Sequence, residues 1–130
     1  MSGEVKSMIP QDLVAPTSDR IIHVFEVPKK YQTWDSCPSE FGMVEITAKE
    51  DYRAKKRCKM DVFRLQDELV KESIVEIDGV TTHGKRHIVE GFYSRMGSRL
   101  RTLIVGAYQQ INEPDDDDVD SFLESGRKKA

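Results

Sequence analysis

The sequence predicts an α+β protein that is mostly helical and contains a small antiparallel sheet. Short runs of β-branched and aromatic residues occur before residue 47 and again near residues 74–82, which is typical of strands. Apolar residues recur at helical spacing through most of the remaining chain. With 130 residues the chain has the size of one ordinary domain, so these elements are expected to share one core.

Two strands are predicted ahead of the first helix. Residues 21–27 are β-branched and aromatic and end at Pro28, and residues 42–46 alternate in polarity. In the first strand the alternation places Phe25 and Val27 on one face and Val24 on the other. We expect the two strands to pair antiparallel.

A capping box, Thr47-Ala48-Lys49-Glu50, predicts the start of a long helix over residues 48–73. In such a box the Thr hydroxyl accepts a hydrogen bond from the Glu backbone N–H, and the Glu carboxylate accepts one from the Thr N–H. The predicted apolar stripe continues for more than four turns at spacings of 4, 4, 3 and 4 and consists of Ala54, Cys58, Val62, Leu65 and Leu69.

The second half of the chain predicts a hairpin and further helices, which gives three to four helices in all. Asp78-Gly79 lies between β-branched runs and indicates a β-hairpin near residues 74–82. A short helix is predicted over residues 87–96 and ends before Gly97, and Ser98 is expected to cap the next helix. The acidic run before Phe122 favours the start of a last short helix. The predicted apolar positions of these helices are Ile88, Phe92, Met96, Leu100, Leu103, Ile104, Ala107, Tyr108, Ile111, Val119, Phe122 and Leu123.

The chain is expected to divide into a flexible N-terminal arm (1–20), a single α+β domain (21–125) and a basic tail (126–130). Gly3, Pro10 and Pro16 indicate the arm, and the tail begins at Gly126. Residues 1–10 lack the apolar core of a secretory signal, and no run approaches the ~20 apolar residues of a membrane span. These features predict a cytoplasmic protein that does not enter a membrane.

Net charge argues against a dedicated nucleic-acid-binding protein. Twenty basic and 23 acidic residues give a net charge of −3. One basic cluster stands out and consists of Arg53, Lys55, Lys56, Arg57 and Lys59. A solvated flank of the long helix is the favoured interpretation of this cluster, and contact with nucleic acid stays open as an alternative.

The chain lacks the residue patterns of catalysis and of cofactor or metal binding. No phosphate-binding GxxxxGK[ST] loop, GxGxxG motif or GxSxG elbow occurs, and His83 and His87 lie outside an HExxH frame. Cys58 lies on the apolar stripe and is predicted to be a buried thiol, while Cys37 lies in a loop. The acidic run 115–118 lacks the alternating ligands and central Gly of a calcium loop. We therefore predict no catalytic residue, no cofactor and no metal.

The order of motifs over residues 46–125 resembles that of the tail assembly chaperones of siphoviruses and related phages. The likeness covers about 80 residues. The matching segments are Ile46-Thr47-Ala48-Lys49-Glu50, Ile74-Val75-Glu76-Ile77-Asp78-Gly79, Phe92-Tyr93-Ser94-Arg95-Met96, Arg99-Leu100-Arg101-Thr102-Leu103-Ile104, Ala107-Tyr108, Asn112-Glu113-Pro114 and Ser121-Phe122-Leu123-Glu124-Ser125.

The resemblance implies a non-catalytic helper that binds the tape measure protein, assists assembly of the tail tube and is absent from the finished virion. The implied partners are a tape measure protein, a tail tube protein and further copies of the chain. The expected partner-binding residues lie on the apolar helix faces and are Phe63, Leu65, Leu69, Phe92, Leu100, Leu103, Ile104 and Tyr108. The alternatives are a small virion or connector protein, or a phage-encoded regulator that binds a host protein or nucleic acid.

Overall fold

The structure, a computed structural model, describes residues 20–59 and 61–128. The predicted α+β class is confirmed, since the described residues combine several helices with one small antiparallel sheet. The strands are β1 (His23–Glu26), β2 (Glu40–Met43), β3 (Ile74–Ile77) and β4 (Val80–Thr81). The helices are α1 (Ala48–Cys58), α2 (Val62–Ser73), α3 (Arg86–Arg95), α4 (Ser98–Asn112) and α5 (Asp116–Glu124), and a 3-10 turn covers Lys29–Tyr31.

The four strands form one sheet in the order β1-β2-β3-β4, with every neighbouring pair antiparallel. The predicted pairing of the first two strands is confirmed, and Phe25 lies opposite Phe41. The predicted hairpin is also confirmed, because Asp78 and Gly79 both have the positive φ that a tight two-residue turn requires. The helices α1 and α2 are inserted between β2 and β3, so the two halves of the chain share the sheet.

One face of the sheet packs against α3 and α4 and forms the main core. Phe41 and Met43 alternate along β2 toward this face and are buried. The Phe92 ring of α3 lies 5.8 Å from the Phe41 ring, and Trp34 from the preceding loop lies 6.4 Å from Phe92. Aromatic contacts at these distances contribute beyond the area that they bury, so the aromatic loop residues stabilise the sheet-to-helix contact.

The capping box at Thr47 is present as predicted. The Glu50 N–H donates to Thr47 Oγ1 at 3.1 Å, and the Thr47 N–H donates to Glu50 Oε1 at 2.9 Å. Arg20 also donates to Glu50 Oε1 at 2.7 Å, and the Ile46 N–H donates to Asn112 Oδ1 at 2.8 Å. The start of α1 is therefore joined both to Arg20, three residues before β1, and to the end of α4.

The predicted single helix over residues 48–73 is wrong, because it is two helices that pack side by side as a hairpin. Lys59 ends α1 in the left-handed conformation with φ of 50°, which a continuing helix does not allow. Asp61 then caps α2 by accepting a hydrogen bond from the Phe63 N–H at 3.0 Å. The described residues hence contain five α-helices where three to four were predicted.

The C-terminal helices start nearly as predicted, with one difference in capping. Gly97 occupies the cap position of α4 and Ser98 is already helical, so the expected Ser98 cap is wrong. Asp115 caps α5 by accepting from the Asp118 N–H at 3.0 Å, which confirms that the acidic run begins a helix. No residue of α5 is buried.

The predicted flexible arm lies outside the described residues except for Arg20. The described part of the predicted basic tail, residues 126–128, is exposed. Within residues 20–59 and 61–128, none of the helices combines the length and the apolar character needed to cross a bilayer.

Candidate functional site

The helices of the α1–α2 hairpin are joined by ion pairs between side chains four residues apart on each helix. Arg57 Nε donates to Glu68 Oε1 at 2.9 Å, and the same guanidinium bonds Glu72. Arg53 bonds Glu72 at 3.3 Å, and Lys55 pairs with Asp51 on its own helix at 2.8 Å. Three of the five basic side chains of the α1 cluster are therefore paired with carboxylates, whereas Lys56 and Lys59 make no ion pair with a described residue.

Glu68 is the centre of a wider ion-pair cluster that joins α1, α2 and α3. Its side chain is nearly buried and accepts hydrogen bonds from Arg57, from Arg86 at 2.6 Å and from Lys71 at 3.4 Å. Burial by itself would raise the pKa of Glu68, but the bond from Arg57 and the charges of Lys71 and Arg86 outweigh it and lower the pKa. The carboxylate is thus fixed in its ionised form as a structural group.

A cleft of about 670 Å³ is lined by residues of the α1–α2 hairpin, of the sheet and of the start of α3. Its charged wall consists of Arg20, Glu50, Arg53, Arg57, Lys71, Glu72, Glu76 and Arg86, and its apolar residues are Ile22, Val44, Ile74, Val75 and Val89. Most of the charged groups in this wall are paired with one another, as Arg20 is with Glu50. Among the described residues, no three His, Cys, Asp or Glu side chains lie close enough together to hold a metal ion.

A second polar cluster fixes α2 against α3 and α4. The Tyr93 hydroxyl donates to Asp67 Oδ1 at 2.7 Å, and Arg101 Nε donates to the same oxygen at 2.8 Å. Burial raises the pKa of Tyr93, and the neighbouring carboxylate of Asp67 raises it further. The neutral phenol is therefore held as a hydrogen-bond donor, which is a structural rather than a reactive role.

The free end of the hairpin exposes apolar side chains. We define the hairpin tip as Cys58, Lys59 and residues 61–65. Phe63 is 90% exposed and Val62 is 71% exposed. A groove of about 180 Å³ beside them is lined by Lys55, Cys58, Asp61, Val62 and Leu65, mainly through apolar atoms. Exposed apolar residues beside such a groove are typical of a surface that binds another molecule.

Half of the predicted partner-binding residues are in the core and not on the surface. Phe92, Leu100, Ile104 and Tyr108 are buried between α3, α4 and the sheet, so a partner does not reach them in this structure, and their assignment to a binding surface is wrong. The helical stripe in α4 was correctly located, but its function is to close the core.

The other four predicted residues lie nearer the surface but do not share one place in the fold. Phe63 is exposed at the hairpin tip, and Leu65 is half-buried beside the groove. Leu103 is exposed on α4, whereas Leu69 packs against the core. Of these, Phe63 and Leu65 are brought together at the hairpin tip.

The sequence predictions missed several exposed apolar residues. Val62 was assigned to an internal stripe because the break at residue 59 was not anticipated. Two basic residues four apart, Arg53 and Arg57, share one face of α1, and two acidic residues four apart, Glu68 and Glu72, share one face of α2. Their ion pairs join the two helices, and this charge pattern is a sequence signal for the hairpin that the sequence predictions do not use. On α5, Phe122 and Leu123 are both exposed.

The two cysteines are free thiols with restricted exposure to water. Cys58 is buried in the hairpin, as predicted, and Cys37 is half-buried with its thiol donating to the Pro38 carbonyl oxygen at 3.4 Å. Burial raises the pKa of the Cys37 thiol, and the negative charge of Asp78 raises it further. A raised pKa lowers the fraction of thiolate, which is the nucleophilic form.

Comparisons with protein-family models, with curated proteins and with solved structures find no match to this chain.

Proposed function

We propose that this chain is a non-catalytic protein that binds an apolar helical segment of another protein, as a tail assembly chaperone binds a phage tape measure protein. The observation that carries the proposal is the exposed ring of Phe63 at the hairpin tip. A large aromatic ring left in water is a common anchor of protein–protein interfaces.

The groove beside Phe63 suits an amphipathic helix. Cys58, Val62 and Leu65 supply its apolar lining, and Lys55 and Asp61 supply charges of both signs at its edge. Helices dock into grooves of this kind by inserting apolar side chains spaced three or four residues apart. A tape measure protein, with long apolar helices that aggregate when uncovered, is the partner class that the sequence resemblance implies.

The ion pairs of the hairpin support the proposal because they hold the groove in one geometry. Arg57 connects α1 to α2 through both Glu68 and Glu72. A binding surface that is already ordered loses less conformational entropy when its partner arrives. The charged groups that line the large cleft are bonded to one another in the same way, so they support a structural role more than a catalytic one.

The proposed setting is the cytoplasm of a phage-infected host, before the tail is complete. There the chain would cover the tape measure protein while tail tube protein assembles around it. The chain itself would then be absent from the mature virion.

Binding to a tape measure segment tests this function directly. The purified full chain would be titrated with a synthetic amphipathic segment of the tape measure protein from the same genome by isothermal titration calorimetry. We expect saturable binding that Phe63→Ala weakens by about 10-fold or more, since buried aromatic anchors dominate interface energies. Val62→Ala should weaken it by a smaller factor.

Val80→Ala is the matched control, because Val80 is exposed on β4, outside the hairpin tip. It should bind like the wild-type chain. The proposal fails if the wild-type chain ignores every tape measure segment, or if Phe63→Ala binds as tightly as Val80→Ala.

A further inference from the structure

The helix α5 presents an apolar face that nothing in the described part of the chain covers. Val119, Phe122 and Leu123 lie three and four residues apart and so share one side of the helix. Phe122 is 75% exposed and Leu123 is 67% exposed. A helix of nine residues is marginal in water without packing, so α5 needs a surface to dock on.

The charges of α5 and of the hairpin are complementary. Residues 115–124 contain six acidic and no basic side chains. Residues 52–64 contain six basic and one acidic side chain, a net charge of +5. Although Arg53 and Arg57 are occupied by carboxylates of α2, Lys56 and Lys59 make no ion pair with any described residue. The exposed part of the hairpin therefore combines apolar and basic groups, and α5 combines apolar and acidic groups.

The start of α5 and the hairpin tip lie near opposite ends of α1. The hydrogen bond from the Ile46 N–H to Asn112 Oδ1 places the end of α4, from which α5 follows, beside the start of α1. The hairpin tip follows Cys58 at the other end of α1, which is 11 residues or about 16 Å away. This separation favours a contact between two copies of the chain over a contact within one copy.

We propose that α5 of one copy docks on the hairpin tip of a second copy. Val119, Phe122 and Leu123 then cover Val62 and Phe63, and the acidic side chains of α5 face Lys56 and Lys59. Because the two contacting surfaces differ, the interface is head-to-tail, and it generates either a ring or an open chain of copies. The hairpin tip is also the surface of the proposed function, so self-association and partner binding compete for it.

Sedimentation of the purified chain alone, over a concentration series, tests the self-association. We expect the mean mass to rise with concentration, and to rise more at ~50 mM than at ~500 mM salt because salt screens exposed charges. The tip variant, Lys56→Glu with Lys59→Glu, should associate much more weakly, since it lowers the net charge of residues 52–64 from +5 to +1 and places carboxylates opposite those of α5. The α5 variant, Asp120→Lys with Glu124→Lys, should weaken association in the same way, since it lowers the net negative charge of residues 115–124 from −6 to −2 and places ammonium groups opposite Lys56 and Lys59.

An equimolar mixture of the two charge-reversed proteins is the decisive sample. The unchanged α5 of the tip variant can dock on the unchanged hairpin tip of the α5 variant, so association should return in the mixture only. Lys29→Glu with Lys85→Glu changes net charge by the same amount as the tip variant, on exposed residues outside the hairpin, and should associate like the wild-type chain. Thermal melts followed by circular dichroism would establish that each variant is folded.

The inference is overturned if the wild-type chain stays monomeric throughout the series, or if the charge-reversed mixture does not associate. It is also overturned if Phe122→Ser self-associates as strongly as the wild-type chain. No tape measure segment is present in these samples, so their outcome is separate from that of the titration that tests the proposed function.

Discussion

Arg57 of α1 donates a hydrogen bond from Nε to Glu68 Oε1 of α2 at 2.9 Å, across the α1–α2 hairpin. The same carboxylate also accepts from Arg86 at the start of α3 and from Lys71 one turn along α2. One nearly buried acidic group thus holds three basic side chains and connects three helices. The position of the proposed binding groove depends on this connection, because the groove lies between α1 and α2.

Replacement of Glu68 by Ala should lower the free energy of unfolding by about 1–3 kcal/mol. Without the Glu68 carboxylate, partly buried cations lack their partner. The expected decrease in the free energy of unfolding is smaller than for a fully buried pair, because Arg57 and Arg86 keep some exposure to water. Urea denaturation measures this free energy of unfolding. Glu90→Ala removes a half-exposed carboxylate that also pairs with Lys71 and Arg86, and it should cost under about 0.5 kcal/mol. Equal losses for the two variants would contradict the central role of Glu68.

Neighbouring residues on α4 provide a test of the corrected site assignment. Ile104 is 1% exposed in the core, whereas Leu103 is 49% exposed. Ile104→Ala should lower the free energy of unfolding by about 2–5 kcal/mol through lost burial and the cavity that remains. Leu103→Ala should change it by under about 0.5 kcal/mol, as is usual for a surface site. Similar midpoints in a denaturant series for the two variants would show that α4 is not oriented as described.

The capping box at the start of α1 predicts a local effect on stability. Thr47→Ala removes the acceptor for the Glu50 N–H and should lower the free energy of unfolding by about 1 kcal/mol. Thr47→Ser keeps a hydroxyl at the cap and should retain most of the wild-type stability. Thermal and urea denaturation of the two variants would measure the difference. Equal free energies of unfolding for Thr47→Ala and Thr47→Ser would show that the hydroxyl cap does not stabilise the fold.

Much of the fold could be predicted because its local signals are strong. The capping box at Thr47, the Asp78-Gly79 turn and the acidic start of the last helix each depend on a few neighbouring residues, and each is present in the structure. The break at Lys59 could not be predicted from periodicity, because the apolar spacing continues across it. The helix ends where Lys59 adopts the left-handed conformation, and ion pairs between residues distant in sequence then join α1 to α2.

The candidate site was less predictable because a helical stripe does not reveal what covers it. Ile104 and Phe63 both belong to apolar stripes, yet one is in the core and the other is almost fully exposed. The difference arises from packing. The sheet and α3 cover α4, whereas Val62 and Phe63 at the hairpin tip stay exposed. Only the tertiary arrangement shows which stripe is available to a partner.

The lowered pKa values of Glu50 and Glu68 determine how stability changes in acid. For Glu50, burial opposes ionisation, but the hydrogen bonds from Arg20 and from the Thr47 N–H outweigh it, so its pKa falls below the usual 4.5. The pKa of Glu68 is lowered as well. Between each lowered pKa and 4.5 the unfolded chain binds more protons than the folded chain. The stability that these groups contribute is therefore fully present above pH 4.5 and decreases as the pH falls through the lowered values.

The free energy of unfolding, measured as the pH is lowered, should therefore differ between the wild-type chain and Glu68→Gln. For the wild-type chain the free energy of unfolding should fall steadily as the pH is lowered from about 5 toward about 3. Glu68→Gln removes one of the groups with a lowered pKa, so its free energy of unfolding should start lower near neutral pH and fall less steeply in acid. Urea denaturation at each pH gives both curves. Parallel curves would mean that Glu68 binds protons equally well in the folded and unfolded chain, which the bonds from Arg57 and Arg86 do not allow.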